Sequence, residues 1–261
     1  MARLLWMPAL GVPARKYEAF ATALSAQGIA VAVHEWRGTG ACAQRPSFGR
    51  DWGYREWLRE DLPESLAALN SDAGDAPLLL GGHSIGGQMA ALFAALGAPA
   101  EGLIIAGSGV PHWRLFPRWT QRLAVGGFAL SLPLLTRLCG HYPGDRLGFA
   151  GREAGALMRD WAGTVRSGDY AQMKGLPGDL PAQLRAVTAP VLGLRFAEDW
   201  LVPPASLDAL IDATGSTDRS HRVLDASDLG AAADHFAWLR APKAPADEIA
   251  RWWALRRSSS S

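Results

Sequence analysis

Six short strand-like runs, most of them apolar, punctuate the chain, at Leu4–Met7, Ile29–His34, Leu78–Gly81, Leu103–Ile105, Val191–Phe196 and His221–Leu224. Each has the length of a buried strand. Helix-like segments separate most of them: Tyr17–Ala26, Leu62–Asn70, Ile85–Leu96, Ser206–Ala213 and Asp247–Leu255. Short apolar strands alternating with amphipathic helices imply an α/β fold, a mainly parallel sheet covered by helices on both faces.

The middle of the chain breaks this rhythm. Between Ser108 and about Leu184 there is no strand-like run, but there are three tryptophans (Trp113, Trp119, Trp161), many glycines and several prolines. A structureless loop of that length is implausible inside a compact domain, so the segment is expected to form helices of its own. Its longest uncharged stretch, Leu123 to Thr136, is 14 residues. A bilayer span takes about 20, so a buried or interfacial helix is expected there and no membrane span. Leu4-Leu5-Trp6-Met7-Pro8 is too short for a secretion signal and lacks its basic flank. No internal repeat is visible, and the serine run at 258–261 is expected to be a disordered tail.

Composition narrows the function classes. A chain of 261 residues can bury one large core. With 26 Lys plus Arg against 25 acids, the net charge of +1 leaves no electrostatic footprint for nucleic acid. Cys42 and Cys139 are far apart and lack metal-like spacing, so they read as free thiols in a reducing cytoplasm rather than a bridge. A soluble, cytoplasmic protein is expected. No phosphate-binding loop, dinucleotide fingerprint or His/Cys cluster appears, so neither cofactor nor metal is expected.

The chemistry is concentrated in Gly82-His83-Ser84-Ile85-Gly86. The strand-like Pro77-Leu78-Leu79-Leu80 precedes it, and a helix-forming run to Leu96 follows. Strand, Gly-x-Ser-x-Gly, helix is the setting of a nucleophile elbow, where a tight turn lifts a serine hydroxyl out of the fold. Side chains at 82 and 86 would collide with neighbouring backbone. An acid and a base follow in order. The run ending at Phe196 leads into Ala197-Glu198-Asp199-Trp200-Leu201-Val202-Pro203, and Asp234-His235-Phe236 lies after the last strand-like run. The order Ser84, Asp199, His235 is nucleophile, acid, base. Glu198 is the alternative acid. His221 sits on an expected strand, and His34, His112 and His141 lack an acid and nucleophile nearby.

With these residues the chain resembles an α/β-hydrolase, and more narrowly the bacterial hydrolases related to the serine aminopeptidase and monoglyceride lipase-like branch. The resemblance rests on Met7 through Arg15, His34-Glu35-Trp36-Arg37-Gly38-Thr39-Gly40, Gly82 through Gly87, Asp199 through Pro203, and His235-Phe236. It implies that residues 1–109 and 185–257 form the α/β-hydrolase core and 110–184 a helical cap over the site. Trp113, Phe116, Trp119 and Trp161 of that cap are expected to line the substrate pocket. The chain begins on what the family counts as its third strand, so either the sheet is shorter by two strands or the true start lies upstream.

The resemblance also implies two backbone donors for an oxyanion. One is the N–H of Ile85, and the other comes from Pro8-Ala9-Leu10-Gly11. Relatives carry His-Gly where this chain has Met7-Pro8, and proline has no N–H to give, so Ala9 is the expected donor, with Leu10 second. The implied activity is a cofactor-free serine hydrolase acting on a small acyl substrate, most simply an ester with an apolar part. Amide, thioester and peptide substrates stay open. The competing reading is a catalytically inactive relative that binds a small ligand or partner through its cap. Oligomeric state is not legible.

Overall fold

A computed structural model describes residues 1–258. Of the expected tail, Ser258 ends the last helix, and the rest lies outside the described residues. The strands in chain order are β1 (Ala2–Met7), β2 (Ile29–Val33), β3 (Leu78–His83), β4 (Gly102–Ala106), β5 (Tyr142–Pro143), β6 (Arg152–Glu153), β7 (Val191–Phe196) and β8 (Arg219–Leu224). Six of them form one sheet in the order β2-β1-β3-β4-β7-β8, every neighbouring pair parallel. The two-residue strands β5 and β6 pair antiparallel in a separate hairpin.

Burial follows the strand period of two. Leu5 and Met7 of β1, Leu78 and Leu80 of β3, and Leu103 and Ile105 of β4 enter one core. Their alternates Leu4, Trp6, Leu79, Ile104 and Ala106 enter the other. The first core packs under helices Leu62–Ala73, Ile85–Ala95 and Pro204–Ala213; the second lies under helices Glu18–Ser25 and Lys243–Ser258. Helix covers both faces because every central strand is apolar on both, as a parallel sheet requires. This is the α/β-hydrolase fold.

The segment after β4 has its own helices. The long helix Trp119–Cys139 packs against helix Gly155–Ser167, and Ala129, Leu132, Met158, Ala162 and Val165 bury a third, smaller core between them with Tyr142 of β5. The helix runs through Gly126-Gly127 and Pro133, although each disfavours helix. Burial of Ala129, Leu132 and Thr136 on its inner face offsets that cost. Helix Leu180–Arg185 belongs elsewhere: Leu180 and Leu184 are buried in the main core, packed with helix Ile85–Ala95.

Candidate active site

Ser84 stands between β3 and helix Ile85–Ala95 with φ 57° and ψ −125°. That conformation is costly for any residue with a Cβ, of order 1–3 kcal/mol, and the surroundings impose it. The Ser84 N–H donates to the Ala106 carbonyl at 3.1 Å, and the Ser84 carbonyl accepts from the Gly87 N–H at 3.1 Å. The flanking glycines are steric requirements. A Cβ on Gly82 would lie 2.3 Å from the Gly86 carbonyl carbon, and one on Gly86 would lie 1.9 Å from the Met7 carbonyl oxygen. The elbow helix is thus pressed directly onto the loop that leaves β1.

The Asp199 carboxylate sits just past the end of β7. Its Oδ1 accepts from the N–H groups of Leu201 at 2.9 Å and Val202 at 3.2 Å, which fixes the carboxylate. Its Oδ2 meets His235 Nδ1 at 2.7 Å, with both side chains almost fully buried. An imidazole held at Nδ1 by a carboxylate carries its proton there and presents Nε2 outward as a base. Ser84 and His235 line the same cavity. Glu198, the alternative acid, is exposed. His221 is exposed on β8 near Asp208. His34 is bonded to Ser65, and burial pushes its pKa down to about 4.

The loop after β1 places the expected donor differently. The Ala9 N–H donates to the Tyr17 hydroxyl at 2.9 Å, deep in the protein, so it does not point at Ser84 as a free donor. Tyr17 in turn lies 2.8 Å from His83 Nδ1. Burial, and then the neighbouring His235, hold the His83 pKa well below its ordinary value, so this ring is neutral. The Tyr17–His83 hydrogen bond links Ala9 through Tyr17 to the residue before the serine. Proline at position 8 keeps its carbonyl bonded to Trp36 Nε1 at 2.9 Å. Leu10, next along the loop, lines the cavity. Ile85 is the first residue of its helix, where N–H groups have no acceptor within the helix. Tyr17 carried no sequence signal as a site residue, because its partner comes from the loop rather than from its own helix.

The cavity beside Ser84 has a volume of about 550 Å³, within the usual range for small-molecule sites. Its wall is mostly apolar. Phe116 and Trp161 line it, joined by Phe128, Phe149, Trp200 and Phe236. Trp113 and Trp119 do not. Trp119 begins the long helix on its outward side and is 70% exposed, while Trp113 lies against Gly126 and packs into the third core. Which way a tryptophan faces depends on helix phase, and that phase was hidden where Gly and Pro interrupt the pattern. Phe149 and Ala150 come from the β5–β6 turn, which rests on the loop after β1: a Cβ on Gly11 would be 2.5 Å from the Gly151 nitrogen. Among the described residues no three of His, Cys, Asp and Glu are grouped to hold a metal ion.

Comparison with known proteins follows from this geometry. The family described as "Serine aminopeptidase, S33" matches residues 2–227. Among solved structures, a soluble variant of the monoglyceride lipase of Saccharomyces cerevisiae, in complex with a substrate analog, is similar at TM-score 0.66 and 14% identity. The match covers 96% of this chain and 85% of that one. A structure from work on carboxylesterases of Nitrososphaera gargenis is similar at TM-score 0.62 and 16% identity, over 99% and 92% of the two chains. The monoacylglycerol lipase of Paleococcus ferrophilus is similar at 0.58 and 16%, over 89% and 85%. At these identities the structural likeness speaks for the fold. No curated protein matches the sequence.

Proposed function

From its membership of the serine aminopeptidase S33 family of α/β-hydrolases, we propose that this serine hydrolase cleaves a carboxylic ester with an apolar acyl part through an acyl-enzyme on Ser84. One observation carries the reading. A buried His235–Asp199 pair at 2.7 Å opens on the same apolar cavity as a serine held at positive φ.

In this reading the Ser84 hydroxyl attacks the ester carbonyl as His235 Nε2 takes its proton. Approach of the hydroxyl to Nε2 completes the triad when substrate is in place, since catalytic hydrogen bonds are often long before it binds. Asp199 keeps the imidazole in the right tautomer and stabilises the imidazolium without being protonated. The tetrahedral oxygen takes the N–H of Ile85 and, with Ala9 committed to Tyr17, the N–H of Leu10. Collapse expels the alcohol, which leaves with the proton from His235. Water then attacks the acyl-enzyme by the same route in reverse. Residues from 110 to about 179 serve as the cap, and Phe116, Phe128 and Trp161 hold the acyl chain. A cytoplasmic location is part of the reading, supported by two free cysteines.

The test is a series of p-nitrophenyl esters of increasing acyl length. Turnover should rise with length until the cavity is filled, by about 0.8 kcal/mol in kcat/KM per buried methylene, and Ser84→Ala should abolish it. Flat dependence on length would refute the apolar acyl pocket. One observation favours a second reading: the capture of the Ala9 N–H by Tyr17 fits a relative that binds a ligand without turning it over. Such a protein would bind apolar acids in the cavity and hydrolyse none of the esters.

A further inference from the structure

The long helix Trp119–Cys139 has two faces of unlike partnership. One is buried in the third core, through Ala129, Leu132 and Thr136. The opposite one carries Trp119, Leu123, Leu130, Leu134 and Leu138, each between 63 and 70% exposed. At 3.6 residues per turn these five side chains fall inside one arc of about 100° and extend over about 30 Å of helix. Isolated surface leucines are ordinary, but a continuous stripe of this length marks an interaction surface. A helix apolar on its outward face normally has that face covered.

The charge around the stripe says what covers it. From residue 102 to 144 the chain has Arg114, Arg118, Arg122 and Arg137 and no Asp or Glu, and all four arginines are exposed. The stripe also adjoins the mouth of the cavity. Ala124, exposed beside Leu123, lines the cavity, and Leu147 and Trp200 on its wall are 56% and 60% exposed. By length and composition the helix could cross a membrane. Its other face is committed to helix Gly155–Ser167, so it is placed to lie on a bilayer and not to span it. A second copy docked about a two-fold axis would set arginines against arginines.

We propose that this face docks on an anionic lipid bilayer. The helix lies in the interfacial plane with its leucines at the acyl boundary and its arginines among the lipid phosphates. Trp119 sits at the headgroup level, where amphipathic rings are favoured. The cavity then opens beside the lipid, and an apolar substrate passes from bilayer to site without crossing water. Docking is independent of the chemistry assigned to Ser84 and is measured by binding alone.

The experiment is co-sedimentation of the full chain, and of its Ser84→Ala form, with vesicles of phosphatidylcholine containing phosphatidylglycerol. Both should bind these vesicles and bind pure phosphatidylcholine more weakly. Leu130→Asp with Leu134→Asp should lower the partition coefficient on the order of a hundredfold. Arg118→Gln with Arg137→Gln should lower it on the order of tenfold, on anionic vesicles only. Neither pair should change turnover of a short, water-soluble ester. Lipids brominated near the headgroup should quench wild-type fluorescence more than that of Trp119→Phe, a reading that needs no helix-face variant to fold. Equal sedimentation with and without vesicles would overturn the proposal. So would a wild-type dimer that the Leu130/Leu134 variant splits, with no vesicle binding by either.

Discussion

Glu153→Gln isolates the energetic cost of the hairpin that rests on the loop after β1. Glu153 ends β6 with 4% of its surface exposed. Its Oε1 accepts the Gly151 N–H at 2.9 Å and so shapes the turn packed on Gly11. Burial raises its pKa from 4.5 to about 7, although that hydrogen bond pulls the other way. The folded protein therefore keeps a proton that the unfolded chain has already lost. Stability from this group is greatest below pH 4.5, falls as pH rises to about 7, and is level above it. At 1.36 kcal/mol per pH unit the full fall is about 3 kcal/mol, an upper bound for a group that relaxes as it ionises. Glutamine keeps the acceptor for Gly151 and cannot ionise, at a cost of about 1 kcal/mol for its buried amide N–H groups. The variant should thus be more stable than wild type by about 1–2 kcal/mol at about pH 8, and no more stable at about pH 4.5. Urea unfolding of both proteins across that range checks this, since other titrating groups cancel in the difference. A difference independent of pH, or a variant less stable at alkaline pH, would refute the assignment of a buried, protonated Glu153.

Four further outcomes follow from the same geometry. Asp199→Asn should lower kcat by roughly 10⁴-fold by leaving the imidazole in the wrong tautomer, while Glu198→Gln, exposed, should leave kinetics of the same ester unchanged; reversal of the two results would move the acid by one residue. Ser84→Gly should abolish turnover yet raise stability by about 1 kcal/mol, because glycine accepts the positive φ without strain; a lower melting temperature would contradict the strained elbow. Gly86→Ala should cost on the order of a hundredfold in kcat, since its Cβ must push the Met7 carbonyl and with it the oxyanion loop; activity near wild type would mean that the loop takes no part. Trp161→Ala should shift the preferred acyl length upward, whereas Trp113→Ala should change stability alone; equal losses on every ester would remove Trp161 from the acyl pocket.

Much of this was readable in the sequence where one physical constraint acts along a short stretch. β1, β3, β4 and β7 are buried on both faces except at Arg3 and Arg195, so their residues are mostly apolar and their elements stand out. Gly82 and Gly86 are fixed by contacts within the elbow or one loop away, and Asp199 is fixed by N–H groups two and three residues on. The rest depended on contacts between distant segments. Helix Trp119–Cys139 was obscured because it is apolar inside and outside, so no polar face marks its phase. The expected 14-residue apolar stretch is its central part, and helix extends beyond it at both ends. Capture of the Ala9 N–H required a tyrosine from the following helix turn and a buried histidine from β3 to meet at one point. The turn of Phe149 and Ala150 reaches the cavity through a hairpin whose strands have two residues each, too short to leave a period.

The central claim is that Ser84 is a nucleophile activated by His235. It is tested most directly by treating the folded protein with a fluorophosphonate and mapping the adduct by peptide mass. The account predicts one adduct per chain, on Ser84, formed at a rate that falls on the order of 10³-fold or more in His235→Ala. An unlabelled protein, an adduct on another residue, or labelling of Ser84 indifferent to His235 would contradict it.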